Sequence, residues 1–414
     1  MSIYFSQIPV KNIKSINKHA ALDLIRFSPG GITRVDLARQ MNLTRAAVSA
    51  IVNDLLDCGV IQESTNRLSG TGRPPIVLEI NPQRAYVAGV DMGATHLTMM
   101  IANSAAHILE EKEIPFDISQ GPQVCLEQAD ALLRELLEKA QLRLNDILAI
   151  GVGVPGPIVA EAGMVLSPPI MPGWDRFPIR TALEERWGCG IALNNDAELG
   201  AVGEWAYGAG RSVRNLAYIK VGTGVGAGLL LDGRIYRGAT GSAGEIGHIT
   251  IDENGRLCNC GNRGCLETVA GGIGIAQIAR EAVQSKKATQ LAKIAPLEHL
   301  TAQDVATAAR RGDLIAQQIL AQAGTYLGIA IAGLVNLINP EMVVVGGGVA
   351  QIGDLLLEQI RLAVKRRSLP AAAQKVQITT ALLGRRSIGI GAIVQALSSA
   401  LHSIADGKDI RGRV

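Results

Sequence analysis

The sequence predicts an α/β chain in which a small winged helix-turn-helix module precedes a two-lobed body. Three observations point there. Residues 1–84 hold ten lysines and arginines against six acids, a net of +4, whereas the remainder carries 30 basic and 31 acidic residues. From Tyr86 onward β-rich and helical segments alternate. One hairpin pattern, a strand running into a tip of glycine and threonine, occurs twice. The 414 residues, 48% hydrophobic and 19% charged, suffice for two or three domains with real cores, which excludes disorder as the main state.

Other classes fall away on composition. No apolar run reaches 18 uninterrupted residues, and the longest, Leu327 to Ile338, is broken by Asn336, so no membrane insertion is expected. Met1 to Lys14 lacks the charged-then-apolar order of a signal peptide. Six cysteines are too few for a disulfide scaffold, and three of them crowd into residues 258–265, which suggests metal. A cytoplasmic protein is expected.

The front module reads as three helices. Ile13, Ile16, Ala20, Leu24 and Phe27 make one apolar stripe, ended by Pro29-Gly30-Gly31. Thr33 caps a short helix from Arg34 to Met41, and Asn42-Leu43 turns the chain. Thr44 then caps a helix from Arg45 to Cys58, in which Val48, Ile51, Val52 and Leu55 face inward. Arg45, Ser49 and Asn53 form a separate polar stripe, and Ala46 and Ala47 allow a deep seat in a groove. Thr44, Arg45, Ser49 and Asn53 are therefore the candidate DNA contacts. Two short strands follow, Val60 to Glu63 and Ile76 to Ile80, with a polar wing between them. Gly72-Arg73-Pro74 in that wing resembles the core of an AT-hook, where Arg73 enters a narrow minor groove. The alternative is a helical protein-interaction domain. Asn81-Pro82 reads as the hinge to the body.

In the body, strand Val87 to Val90 ends at Asp91-Met-Gly93-Ala-Thr95, and strand Leu216 to Lys220 ends at Val221-Gly222-Thr223-Gly224. Glycine permits close approach, so such tips offer backbone N–H groups and a hydroxyl to phosphate oxygens, with Asp91 placed for hydrated magnesium. Ordinary tight-turn chemistry is the alternative. Asp232-Gly233 signals a hairpin. Strand Met342 to Val345 runs into Gly346-Gly347-Gly348 and then a helix, a seat for a flat ring. The helix Pro122 to Leu142 and strand Ile147 to Val154 lie between.

Asn194-Asn195-Asp196 opens a helix, where Asp196 is either its cap or a general base for a sugar hydroxyl. Glu245 and Glu267 add carboxylates, which suit sugars because vicinal hydroxyls donate to them in pairs. Cys258-Asn-Cys260-Gly-Asn-Arg-Gly-Cys265 presents three thiols in eight residues, with His248 ten residues before. Three thiolates and an imidazole complete a tetrahedral structural zinc site; free cysteines in a glycine-rich loop are the alternative.

Gly244-Glu245-Ile-Gly-His248 followed by Cys258-x-Cys260-Gly-x-x-Gly-Cys265-x-Glu267 resembles the ROK family, which groups sugar-responsive repressors with sugar kinases. The resemblance covers nearly the whole chain, and the front module places it with the xylose, N-acetylglucosamine and glucose repressors. It implies an actin/hexokinase-like pair of ribonuclease-H-like lobes that close over ligand. It also implies zinc on His248, Cys258, Cys260 and Cys265, and sugar contacts at Asn195, Asp196, Glu245, His248 and Glu267. Asp196 matches the kinase base. Phosphate and nucleotide contacts match Asp91, Gly93, Thr95, Gly222, Thr223, Gly224, Gly346, Gly347 and Gly348. The domains then run 1–82 for the winged helix-turn-helix, 83–195 for a first lobe completed by a C-terminal helix 388–404, and 196–387 for a second lobe.

The chain departs from the kinase pattern in the first loop, where Ala94 and His96 replace glycine and lysine, and at Ile101-Ala-Asn103, where an aspartate is usual. Two functions follow. One is a repressor of sugar genes whose body binds a sugar or sugar-phosphate effector and shifts operator affinity. The other is an ATP-dependent, glucokinase-like sugar kinase with an attached arm, using Mg2+/ATP. The expected partners are operator DNA, the effector and a second copy of the chain in a homodimer, or four copies in a tetramer. The resemblance also implies, as a third option, control by binding to a sugar-transport protein, as in some repressors of the family.

Overall fold

The structure, a computed structural model, describes residues 13–65, 75–159, 162–166, 168 and 170–408. It opens with helices α1 (Ile13–Arg26), α2 (Arg34–Met41) and α3 (Arg45–Asp57), then the antiparallel strands β1 (Ile61–Thr65) and β2 (Ile76–Ile80). Thr33 Oγ1 accepts the Asp36 N–H at 3.1 Å and Thr44 Oγ1 the Ala47 N–H at 3.2 Å, so both helices start where a hydroxyl can satisfy an orphan donor. Asn42 turns between them in the left-handed region, φ 53°. The first wing strand starts one residue later than expected, at Ile61, although Val60 O still accepts from Asn81 N at 2.9 Å beyond its end. Gly72-Arg73-Pro74 lies outside the described residues.

The body has two five-stranded sheets of one topology. The first takes β3 (Tyr86–Met92), β4 (His96–Asn103), β5 (Ile108–Pro115), β6 (Ile147–Val154) and β9 (Gly190–Asn195), in the order β5-β4-β3-β6-β9. Its outer face carries α4 (Pro122–Lys139) and α5 (Ile179–Trp187); a small hairpin, β7 (Ile158–Val159) with β8 (Met164–Val165), lies at its edge. Helix α6 (Asp196–Tyr207) then leads to the second sheet. That sheet takes β10 (Leu216–Val221), β11 (Val225–Leu231), β12 (Arg234–Ile235), β13 (Met342–Gly346) and β14 (Gln377–Thr380), in the order β12-β11-β10-β13-β14. In each sheet three antiparallel strands are followed by two parallel ones, since a hairpin needs only a tight turn whereas a parallel neighbour needs a crossover. Asp232 and Gly233 make the expected two-residue turn with φ of 53° and 73°.

Around the second sheet lie α7 (Glu267–Ala270), α8 (Gly272–Gln284), α9 (Ala302–Arg310), α10 (Leu314–Ile338), α11 (Asp354–Arg367) and α12 (Pro370–Lys375); α13 (Ser387–Ala405) ends the fold. The glycines after β13 lead into a short 3-10 turn, Val349–Ile352, and α11 begins only after Gly353, so the helix expected directly behind them is displaced. Helix α4 stops at Lys139, short of Leu142, because Gln141 takes φ 56°. Helices α10 and α13 are long and apolar enough to span a bilayer, contrary to the run-length expectation, because scattered polar residues interrupt an apolar run without lowering its mean hydropathy much. Their apolar windows are 61% and 83% buried within the fold.

α13 covers the first sheet and α6 the second, and the two helices cross between them. The crossing is at backbone distance. A Cβ on Gly203 would fall 2.1 Å from Ser387 O, and one on Gly391 would fall 1.8 Å from Leu199 O. Only glycine fits at either point.

The front module rests on these helices. Arg26 of α1 donates to Ser398 Oγ at 2.8 Å and Val394 O at 2.9 Å. His19 and His402 stack at 4.1 Å between ring centroids, and their Nε2 atoms lie 3.1 Å from Asp406 Oδ1 and 3.0 Å from Asp23 Oδ1. Phe27 meets Trp205 of α6 edge-on at 5.1 Å. One apolar cluster runs unbroken from Leu22 and Leu55 through Val87 to Leu397. The Asn81-Pro82 stretch is no free hinge. Asn81 Nδ2 donates to Gly59 O at 3.0 Å, Asn81 O accepts from Ser104 Oγ at 2.5 Å, and Arg84 Nε donates to Cys58 O at 2.9 Å.

Two outcomes are expected. Gly391→Ala forces the helices apart and lowers stability by about 3 kcal/mol, at the upper end for overpacking, as a denaturation midpoint would read. Burial, and then His402, hold the His19 imidazole below its ordinary 6.5, with Asp406 pulling the other way. A lowered value means that acid favours the undocked form. Docking is complete above about pH 6.5 and weakens as pH falls below it. Hydrogen exchange of α1 amides, corrected for intrinsic rates, should lose protection between pH 7.5 and 5.5, and His19→Gln should flatten that dependence.

Candidate ligand cleft and metal centre

Between the sheets opens a cavity of about 930 Å³. The tips of both glycine hairpins reach it because each follows the central strand of its sheet. Asp91 and Thr95 of the first hairpin and Gly222, Thr223 and Gly224 of the second line it, together with Asn195, Asp196, Glu245, His248 and Glu267. Gly347 and Gly348 line it too. Two expected positions do not line it. Gly93 lies beneath the His96 ring, where a Cβ would come within 2.5 Å, and Gly346 packs on the Tyr218 ring.

Asn195, not Asp196, caps α6. Its Oδ1 accepts the N–H groups of Ala197 at 2.8 Å and Glu198 at 3.3 Å, while its Nδ2 donates to Gly156 O at 2.9 Å. Asp196 is thereby free of capping, and its Oδ2 pairs with Lys220 Nζ. Burial pushes the Asp196 carboxyl up, Lys220 draws it back, and Asp91 pushes it up again. Burial works against the Lys220 ammonium, but Asp196 and then Asp91 outweigh it and hold it above the ordinary lysine range. Asp91 is 1% exposed; its Oδ2 lies 3.2 Å from His96 Nε2, and its Oδ1 has no partner.

Glu267 Oε2 accepts the Val225 N–H at 3.0 Å, so this carboxylate braces the second glycine tip from beneath. Glu245 differs from its neighbours. Its carboxyl receives no hydrogen bond from the described residues, and burial raises it, with His248 opposing and Asp196 and Glu267 assisting. A half-buried carboxylate without a donor, lining a cavity, can accept a hydrogen bond from whatever enters it.

Two residues of the cleft, Lys220 and Glu198, and the neighbouring Arg237 were not anticipated. Lys220 is the one charged side chain on the buried strand β10, and Glu198 and Arg237 form an ion pair at 3.1 Å with Arg237 also donating to Asn194 Oδ1 at 3.1 Å. The signal for Lys220 was available, since a lysine in a buried strand requires a partner. Glu198 was masked by its place three residues after Asn195, where a capping box would put it.

The segment 248–265 folds as a tight hairpin, with bridges Thr250 to Cys265 and Leu257 to Arg263 and a turn closed by Gly261 N donating to Cys258 O at 2.9 Å. Gly264 has φ 66°, and a Cβ there would strike Asp252 O at 1.5 Å. This geometry brings His248, Cys258, Cys260 and Cys265 together, their ligand atoms all within 4.8 Å of one another. Cys260 Sγ and Cys265 Sγ are 3.7 Å apart, and Cys258 Sγ is 3.7 Å from His248 Nδ1. Two sulfurs at ~2.3 Å from a tetrahedral ion are separated by ~3.8 Å, so the cluster can hold a metal with little movement.

On α3, Thr44, Arg45 and Asn53 are exposed and Ser49 is half-buried. Asn53 Oδ1 accepts from Arg34 Nη1 at 3.1 Å, and Arg34 Nη2 also reaches Glu63 at 2.9 Å, so the polar stripe is tied to the wing.

The chain matches the model of the ROK family over residues 87–398. It is 30% identical over 389 residues to the xylose repressor of Caldicellulosiruptor bescii, covering 94% of this chain and 97% of that protein. It is 40% identical over 328 residues to a glucokinase of Halalkalibacterium halodurans, covering 77% of this chain and 97% of that enzyme. Among solved structures it resembles a ROK family transcriptional regulator homologous to the Escherichia coli MLC protein, with a TM-score of 0.81, 30% identity, 95% of this chain and all of the other covered.

Metal analysis of the purified chain should give about one divalent ion per molecule, as four such ligands imply. Cys260→Ser should lose it, and a well-folded wild type free of metal would disprove the centre.

Proposed function

The chain belongs to the ROK family, and on that premise we propose that it is a DNA-binding transcriptional repressor of sugar uptake or catabolism genes whose kinase-like body senses a sugar. The observation that carries this is the end-to-end similarity to a xylose repressor, front module included. A kinase has no need of residues 1–82; a repressor does.

In this reading α3 enters the major groove with Arg45 and Ser49 toward bases, Thr44 and Asn53 flanking them, and Arg73 in the neighbouring minor groove. The basic excess of the front module supports its affinity for phosphate. The sugar is held by Glu245, Glu267 and Asp196, with Asn195 fixing the end of α6. His248 offers Nδ1 to the metal and its other ring nitrogen to the sugar. The metal is zinc: three sulfurs and one imidazole form a soft set that it fills without redox change. Zinc here would fix the hairpin bearing His248 and Glu267.

Ligand closure alters the approach of the two sheets, and hence of α6 and α13. The opposite ends of those helices hold Phe27, Arg26 and His19, so closure reorients the front module. In a homodimer this changes the spacing of the two recognition helices. The protein acts in the cytoplasm, where operator and sugar meet.

A second reading is favoured by the 40% identity to a glucokinase and by the glycine tips lining the cleft. There the chain is an ATP-dependent sugar kinase with an added arm, with Asp196 as base. Mg2+/ATP would lie along Gly222-Thr223-Gly224 and Gly347-Gly348, supplying the transferable phosphoryl group.

Fluorescence anisotropy of an enriched A·T-rich DNA pool, with and without a panel of sugars and ATP at fixed salt, separates the two. Specific binding that one sugar alone changes supports the repressor. Sugar-dependent ATP consumption without specific DNA binding supports the kinase. Within the repressor reading, Glu245→Ala abolishes the sugar response and leaves DNA affinity intact, and Arg73→Ala weakens operator binding by about 1–3 kcal/mol.

A further inference from the structure

We infer that Lys220 is a built-in cation: its ammonium stands where a divalent ion would have to be held between Asp91 and Asp196, so the cleft works without that metal. The identity of the ligand rests on the sugar reading given above, but the charge arrangement does not.

The position itself argues for a role. Leu216–Val221 is otherwise apolar and buried, and a lysine on such a strand costs several kcal/mol of desolvation unless it is paired. It directly precedes the glycine tip, its stem passing 3.6 Å from where a Gly222 Cβ would stand, and its ammonium reaches the start of α6, which packs on the same sheet. There it meets Asp196 Oδ2. Asp91, on the facing hairpin, is buried with Oδ1 unpartnered, and its field reaches both Lys220 and Asp196. The other Asp91 oxygen is taken by His96.

Phosphoryl transfer in a cleft of this kind requires a divalent ion against the phosphates and a free carboxylate to accept the hydroxyl proton. Magnesium needs anionic oxygens and its own waters in near-octahedral order. An ammonium on Asp196, in a cavity that Asp91 also lines, repels a second cation and takes up an oxygen that such an ion would need. The same contact lowers the basicity that Asp196 would have if left alone in that environment, because an ammonium donor stabilises the carboxylate. Lys220 therefore accounts for both halves of a sensor: the acid pair is kept and neutralised in part, and the base is occupied.

The test uses Mn2+ alone, followed by electron paramagnetic resonance, on the full-length chain. Dependence on Asp91 distinguishes the cleft from the cysteine cluster. Wild type should show no Mn2+ that Asp91→Asn removes, and Lys220→Arg should behave likewise. Lys220→Met should gain one site, bound roughly tenfold or more tighter than any in wild type and lost again when Asp91→Asn is added. Should Lys220→Met fail to fold, Lys220→Gln serves, since its amide keeps a hydrogen bond to Asp196 without the charge. An Asp91-dependent Mn2+ site in wild type, or none gained in the folded variant, overturns the inference. Neither result depends on which sugar, if any, is bound, so failure of the sugar reading would be seen separately.

Discussion

The crossing of α6 and α13 at Gly203 and Gly391 is the contact on which the rest of the molecule depends. Each sheet presents one helix to the other, and the two can meet only where neither carries a side chain. That close approach makes them a single unit between the lobes. α6 has Asn195 and Asp196 at its start, in the cleft, and Trp205 near its end, against Phe27 of the front module. Its twelve residues span about 18 Å. α13 runs the same course, with Ile388 at the cavity and Ser398 and His402 at the dock. The two functional regions are opposite ends of one pair of rods. In the function proposed above, a small tilt of those rods, of the kind that packed helices undergo, would change both.

The cleft is a second expression of the same economy. Five carboxylates line it, and an unpaired buried carboxylate costs several kcal/mol, more than any single hydrogen bond returns. Asp196 is answered by Lys220, Glu198 by Arg237, Glu267 by a backbone N–H and one oxygen of Asp91 by His96. Glu245 has no such answer. Its desolvation is tolerated because one side faces the open cavity, and that exposure is what a ligand hydroxyl would use. Deeper, Glu204 is fully enclosed and accepts from Ala209 N, Leu382 N, Leu383 N and Ser387 Oγ, pinning the start of α13 to α6. Carboxylates of one chemistry thus divide into braces, paired charges and one free acceptor, according to the donors the fold brings to them.

The sequence by itself determined whatever chemistry is local. The capped helices at Thr33 and Thr44, the Asp232-Gly233 turn and the two glycine tips each follow from a few adjacent residues. The convergence of His248, Cys258, Cys260 and Cys265 follows for the same reason, since side chains so close in the chain are brought together by one turn. Local reasoning failed where two neighbours competed for one role: Asn195 took the cap and left Asp196 for Lys220. It also failed at Asn81-Pro82, where a turn-like composition conceals side chains anchored on both flanks.

Tertiary structure alone decided which distant groups would meet. Lys220 and Asp196 are 24 residues apart, Glu198 and Arg237 39, and Arg26 and Ser398 372. Helix and strand periods fix which face of an element is apolar, but the partner of a polar group depends on how elements stack. Here that stacking was set by two glycines whose importance lies in the side chains they lack.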